Sequence, residues 1–289
     1  MPPIRGETKD VMKTWLITGC SSGIGRSLAQ AVLEAGYNAV VTARDPEKLK
    51  DLISSFSETG VATALDVTKP DQIAAAVKLA QQRFGGVDVL VNNAGYGYRA
   101  AVEEGDDKDI ADLFASTFFA DVALIKAVLP AMRARRSGTI LNISSIAGRW
   151  SNPGSGYYSA VKFAIEGMSD ALRKEVEPLG IRVVVVEPGA MRTDFAGRSL
   201  KGAKTVIDDY ANTVGPRRKE NDKSSGTQPG DPARVARALI KIVESEKAPF
   251  RLLFGSDAVK IISTELDAQR KEIDDWKELS VSTDFPAAT

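Results

Sequence analysis

The chain contains no histidine. That removes the side chain most often used for acid–base catalysis near neutral pH, and the commonest metal ligand. Ser-His-Asp and Cys-His machinery is excluded with it. Cys20 is the only cysteine, so no disulfide closes within the chain and no Cys-rich zinc site can form. Charge of one sign is lacking too, since 38 Lys and Arg face 38 Asp and Glu. Such a balance invites neither nucleic acid nor an anionic membrane surface. No apolar run approaches the roughly 20 residues of a bilayer span. Met1–Asp10 is polar, with two prolines and no apolar signal-peptide stretch. A soluble, cytoplasmic protein is the expectation. Proton transfer is left to Tyr, Lys or a carboxylate of shifted pKa.

What is present is a repeating alternation over 289 residues. Short β-branched runs occur at Trp15–Thr18, Ala39–Thr42, Val61–Leu65, Val87–Val91, Thr139–Ile143, Val183–Val186 and Arg251–Phe254. They lack polar alternation, as parallel strands covered on both faces do. Helix-length periodic segments separate them, among them Gly25–Ala35, Gln72–Phe84, Asp109–Ala134 and Ser159–Glu177. The pattern predicts an α/β fold with one doubly wound parallel sheet of about seven strands. No repeat or linker divides it, so one domain over 13–289 is expected after an N-terminal extension, 1–12. Residues 196–231 break the rhythm. They are polar and rich in Gly and Ser, and follow the sixth strand. They read either as a surface insertion or as a lid over a substrate. Asp231-Pro232 is a helix start, with Asp as N-cap and Pro in the first turn. The tail 257–289 opens on an amphipathic helix.

Thr18-Gly19-Cys20-Ser21-Ser22-Gly23-Ile24-Gly25 joins the first strand to the first helix. A pyrophosphate needs close backbone approach and favours the positive end of a helix, and glycines in this setting provide both. The spacing G-x-x-x-G-x-G differs from the common dinucleotide fingerprint. It resembles that of the short-chain dehydrogenase/reductase family, and the likeness continues in order. Asp66-Val67 is similar to the family's adenine-contacting pair, and Asn92-Asn93-Ala94-Gly95 to its turn after the fourth strand. Ser145 resembles its catalytic serine, Tyr158-Ser-Ala-Val-Lys162 its Y-x-x-x-K, and Pro188-Gly189 with Met191 and Thr193 its nicotinamide-side loop. The likeness spans roughly Lys13–Thr193. It implies a Rossmann-type fold and a nicotinamide cofactor held by Gly19, Ser21, Ser22, Gly23, Ile24, Gly25 and the residues just named.

The second strand ends Val41-Thr42-Ala43-Arg44. Ala43 stands where the family's NAD users carry Asp, and Arg44 follows. A guanidinium grips a 2′-phosphate that a carboxylate would repel. NADP(H) is therefore expected over NAD(H), with Asp45 as the dissenting neighbour. Arg44 could otherwise be a solvated surface charge.

Tyr158 and Lys162, four apart, share one helix face. A phenol of pKa ~10 is a poor base at neutral pH. An ammonium about 5 Å away, at an effective dielectric of ~20, favours the phenolate by roughly 3 kcal/mol, on the order of two pKa units. Tyr158 would then act as acid in reduction and base in oxidation, with Ser145 orienting the substrate oxygen. By resemblance, Lys162 also binds the nicotinamide ribose. The family usually carries Asn where this chain has Thr117; either the proton relay is reduced or rewired there, or Thr117 is only a packed helix residue.

Tyr96, Tyr98, Trp150 and Phe195 fall beyond strand ends. They either favour a bulky or aromatic ketone, aldehyde or alcohol, or simply pack the loops. The resemblance implies a homodimer or homotetramer built on the helices at 109–134 and 157–178. A carbonyl reductase or alcohol dehydrogenase is the leading reading. The alternatives are another reaction on the same fold, such as a dehydratase or epimerase, and a non-catalytic NADP(H)-binding regulator.

Overall fold

A computed structural model describes residues 12–197, 199–224 and 226–285. The expected extension at 1–12 lies outside the described residues except for Met12. In chain order the elements are β1 (Thr14–Ile17), α1 (Gly23–Glu34), β2 (Asn38–Ala43), α2 (Lys50–Ile53), β3 (Gly60–Ala64), α3 (Pro70–Phe84), β4 (Val89–Asn92) and β5 (Gly97–Arg99). Then come α4 (Asp107–Phe114), α5 (Ala120–Arg135), β6 (Gly138–Ile143), α6 (Gly156–Val176), β7 (Ile181–Pro188), β8 (Leu200–Gly202), α7 (Gly215–Ser224), α8 (Pro232–Glu244), β9 (Arg251–Phe254) and α9 (Ser256–Val281).

Seven strands form one parallel sheet in the order β3-β2-β1-β4-β6-β7-β9. Consecutive strand residues point to opposite faces, and each face has its own core. Trp15, Ile17, Val41, Val91 and Leu141 pack with Leu28 and Val32 of α1 and with Leu239 of α8. Leu16, Val40, Leu90 and Ile140 pack on the other side with Ala76 of α3 and with Leu124 and Val128 of α5. This is why the runs show no polar alternation. The chain winds outward in both directions from β1 and β4. Their carboxyl ends therefore diverge into a crevice, the place where ligands bind in such sheets. The Asp231 carboxylate caps α8 as expected, accepting from the N–H groups of Ala233 (2.8 Å) and Arg234 (3.3 Å).

Three features were not legible in advance. First, α4 runs into α5 through a π-helical turn, Ala115–Phe119, centred on Thr117. By length and composition the continuous stretch 107–135 could cross a membrane, with Asp121 and Lys126 interrupting its apolar run. In this fold its Leu124, Ile125, Val128 and Met132 lie in the sheet's core. Second, β5 and β8 form a separate parallel ribbon, Gly97–Arg99 against Leu200–Gly202. Third, the polar segment after β7 is docked against the body.

Glu104 is its anchor. The buried carboxylate accepts from the N–H groups of Ala101 (2.8 Å) and Ile207 (2.9 Å) and pairs with Arg218 of α7. Burial pushes its pKa up, but those two N–H groups and the guanidinium outweigh burial and hold it below the ordinary value. Tyr210 adds a hydrogen bond to Glu103 (2.7 Å). Polar composition thus reflects neighbours to bind, in addition to solvent. Glu104→Ala should free the segment locally at a cost of roughly 1–3 kcal/mol. Limited proteolysis should then cut between 199 and 219 earlier than in the parent, with the sheet's resistance unchanged. Equal cutting in both would contradict the anchoring.

Candidate active site

The glycine loop is shaped by contacts that exclude side chains. Gly19 has φ +72°, and a Cβ there would lie 3.0 Å from the Ala94 Cα. At Gly25 a Cβ would sit 2.4 Å from both the Gly19 carbonyl oxygen and Asn93 Nδ2. Gly25 therefore lets α1 close on the loop; it does not line the cavity, whereas Gly19, Ser21, Ser22, Gly23 and Ile24 do. No side chain caps the N-terminus of α1, and its first turn holds no acid. Its N–H groups and dipole are aimed into the crevice, where an anion is favoured. Thr18 ties this loop to the turn after β4. Its hydroxyl accepts from the N–H groups of Asn93 and Ala94, both at 2.9 Å, while Asn93 Nδ2 donates to the Thr18 carbonyl (2.8 Å). Cys20 is buried, and burial pushes its thiol up to about 12, so it packs and does not react.

Arg44 borders the same cavity. Asp45 does not: its carboxylate caps the turn Pro46–Leu49 by accepting from the Glu47 N–H (3.2 Å). Asp66 and Val67 line the crevice wall, the Asp66 carboxylate accepting from the hydroxyl (2.7 Å) and N–H (3.0 Å) of Thr68. Asn93, Ala94 and Gly95 form its floor, and Pro188, Gly189, Met191 and Thr193 its far wall. Asn92 departs from expectation. It is buried in β4, where its Nδ2 donates to Asn142 Oδ1 (2.9 Å), and Asn142 in turn donates to the Ser169 hydroxyl (2.8 Å). It joins β4, β6 and α6, and does not face the cavity. The cavity holds about 1100 Å³, above the usual range of ~300–1,000 Å³ for a single small ligand. A dinucleotide fits this donor set and shape.

At the other end of the cavity stand Ser145, Tyr158 and Lys162. Ser145 follows β6 and caps the turn Ile146–Gly148, its hydroxyl accepting from the Ala147 N–H (3.1 Å). The Lys162 ammonium donates to the Ile143 carbonyl of β6 (2.7 Å) and lies 5.8 Å from the centre of the Tyr158 ring. The lysine does not lower this phenol as its proximity in sequence suggests. In the polypeptide alone burial dominates and raises it to about 12, against the pull of the Ser145 hydroxyl. Desolvating a phenolate costs more than that hydroxyl returns, and the ammonium is committed to a backbone carbonyl.

Burial also pushes the Lys162 ammonium well below its ordinary pKa, opposed by Asp121 and Glu166. Asp121 is itself buried, one helical turn after Thr117, and its carboxyl is pushed up by burial against the pull of Lys162. The Thr117 hydroxyl is buried with no partner among the described residues, its methyl facing Gly95. Behind Ser145 a second acid pair is buried. Glu166 meets Arg251 at 2.8 Å, and Glu187 meets Arg149 (3.5 Å) and Arg251 (3.6 Å). Sequence reasoning missed all three acids. A carboxylate inside an amphipathic pattern was the only available signal.

The substrate end is walled by Tyr96, Trp150 and Phe195, with the Phe195 ring 5.5 Å from that of Tyr158. Tyr98 serves the loop more than the cavity. It is 2% exposed, its hydroxyl accepts from the Asp106 N–H (3.1 Å), and its ring meets Tyr157 edge-on. Leu200, Lys201 and Gln228 of the docked segment also border the cavity. Asp257, opening α9, was not anticipated. Its carboxylate accepts from the Ala190 N–H (2.7 Å) and fixes the far-wall loop against Gly189.

The family model "short chain dehydrogenase" matches residues 13–204. Oxidoreductase BOA17 of Botryotinia fuckeliana is 39% identical over 272 residues, covering 94% of this chain and 99% of that protein. A short-chain dehydrogenase structure from Streptomyces avermitilis is 41% identical with a TM-score of 0.89, covering 96% of this chain and 100% of that one. An alcohol dehydrogenase structure from the archaeon Thermococcus sibiricus, complexed with 5-hydroxy-NADP, is 25% identical with a TM-score of 0.68, covering 84% and 96%.

The acid pair behind Ser145 carries a pH signature. Burial, then Glu166, push Glu187 up to about 7 against Arg149 and Arg251. The folded carboxyl holds its proton more tightly than the unfolded one. Its stabilising contribution is therefore present below about 4.5 and lost as pH rises through about 7. Glu187→Gln stays neutral throughout. In thermal melts its Tm relative to the parent should climb between those values by the equivalent of about 1–2 kcal/mol. A Tm difference that ignores pH would contradict this.

Proposed function

The chain belongs to the short-chain dehydrogenase/reductase family, and on that premise we propose that it is an NADP(H)-dependent oxidoreductase interconverting a ketone or aldehyde with its alcohol. The observation that carries this reading is one continuous cavity with a phosphate-accepting loop at one end and Ser145, Tyr158 and Lys162 at the other.

Bound there, the cofactor would supply or accept the hydride. Ser21, Ser22, Gly23 and Ile24 would hold its phosphates, Asp66 and Val67 would take the adenine end, Asn93, Ala94 and Gly95 the ribose side, and Pro188, Gly189, Met191 and Thr193 the nicotinamide. Arg44 takes the 2′-phosphate. Asp45, whose carboxylate caps the turn Pro46–Leu49, does not line the cavity.

Ser145 and Tyr158 grip the substrate oxygen. In reduction Tyr158 gives that oxygen its phenolic proton, and in oxidation it takes the alcohol proton. Lys162, pinned to β6, orients the tyrosine and reaches the ribose. Asp121 and Glu166 help keep that lysine charged. Tyr96, Trp150 and Phe195 favour a bulky or aromatic carbonyl compound, and Leu200, Lys201 and Gln228 of the segment after β7 cover it.

Tyr158→Phe should lower turnover by about 10²–10⁴-fold on a ketone panel while NADPH binding persists. Full activity in that variant would refute the assignment, and binding without turnover by the parent would favour a regulator. Arg44→Ala should weaken NADPH binding roughly 10–100-fold, the value of a charged hydrogen-bonded contact of about 1.5–3 kcal/mol, and leave NADH nearly unaffected. An unchanged NADPH-to-NADH ratio would remove the basis for NADP(H).

A further inference from the structure

Helix α9 leaves the body after two turns. Ala258 and Ile262 are buried and seat its start. Beyond them it projects, and every residue from Leu266 to Val281 is exposed. The projecting part is not uniformly polar. Leu266, Ile273, Trp276 and Leu279 carry large apolar side chains at 46–63% exposure. A helix of this composition gains nothing by holding such groups in water.

Their spacing identifies the missing contact. Val259, Ile262, Leu266, Gln269, Ile273, Trp276 and Ser280 recur at alternating intervals of three and four, a heptad pattern. With Leu266 and Ile273 at a, Gln269 and Trp276 fall at d. Glu265, Glu272 and Leu279 then occupy g, Leu279 flanking the seam, and Arg270 and Lys277 occupy e. Two parallel copies bring each g beside the e five residues further on in the other chain. Glu265 would meet Arg270 of the partner subunit, and Glu272 would meet Lys277 of the partner subunit. Two antiparallel copies would set Glu against Glu and Arg against Lys. Among the described residues, Arg270, Glu272 and Lys277 make no ion pair within the chain. On the outer face, by contrast, Lys271 already pairs with Asp275 (2.5 Å).

We propose that α9 is a self-association element: two copies of this chain pair through a parallel two-stranded coiled coil over residues 266–281. Two heptads are short for a free peptide. Here the helix continues from a folded body, so its nucleation cost is already met. The seam holds two polar residues, Gln269 and Ser280, and Gln269, at its d position, sets the register. An anionic membrane is the poorer occupant, because α9 carries seven acidic side chains against four basic ones. The surface is separate from α5 and α6 and from the cavity, so the proposal stands independently of the catalytic reading.

The full chain at high micromolar concentration should sediment as an oligomer. Ile273→Glu with Trp276→Glu should halve that mass and leave turnover unchanged. A chain carrying Glu265→Lys and Glu272→Lys should self-associate through α9 at least tenfold more weakly, as should one carrying Arg270→Glu and Lys277→Glu. Mixing the two should restore pairing. Ser280→Cys should cross-link under mild oxidation, because parallel chains bring position 280 onto itself and Cys20 is buried. A monomeric parent, an unchanged mass in the Ile273/Trp276 variant, or no rescue on mixing would overturn the proposal. So would phosphatidylserine vesicles binding the parent and not that variant, which would make the helix a membrane anchor.

Discussion

A half-buried phenol and a buried ammonium, set together at the carboxyl end of β6, place the strongest demand on this structure. Neither group is stable in its charged form away from water without partners. The Ile143 carbonyl holds the lysine, Asp121 and Glu166 supply opposite charge, and Ser145 lies beside the phenol. The balance that results is asymmetric. The lysine retains two acidic neighbours and a hydrogen bond, while the tyrosine is left with a pKa far above neutrality. Such a phenol holds a proton well and gives it up only when further positive charge arrives.

The rest of the fold holds that pair still. Strand order places β4 and β6 side by side, so Asn92, Asn142 and Ser169 can link two strands to the helix that carries the pair. Thr18 performs the same service between β1 and the turn after β4. These buried polar bridges lie directly under the crevice. An apolar core there would be as stable but would not fix the crevice's two walls relative to each other. Asp257 braces the third wall from the start of α9.

Much of this was legible in the residues. Both faces of the sheet are covered, so its strands appear as unbroken apolar runs. The glycine loop and the four-residue interval from Tyr158 to Lys162 are local patterns with a direct geometric meaning. What stayed hidden depends on pairs distant in sequence. Glu104 reads as a surface acid until Ile207 and Arg218 arrive beside it. Asn92 and Asn93 are identical side chains in adjacent positions, yet the pleat sends one inward to Asn142 and leaves the other in the crevice. The π-helical turn at Thr117 has no proline or glycine to announce it. Tyr98 looks like a cavity residue until the Asp106 N–H and the Tyr157 ring arrive beside it. The lysine's effect on its tyrosine was overestimated because sequence gives proximity but not desolvation.

The central claim is that burial keeps Tyr158 protonated until positive charge is brought beside it. Tyrosinate absorbance of the parent, less that of Tyr158→Phe, measures this directly when titrated with and without NADP⁺. Without it, the phenol should remain protonated past the ordinary value of 10. With it, ionisation should move down by about two units. A phenol that ionises below its ordinary value in the free protein, or that titrates identically in both states, would contradict the claim.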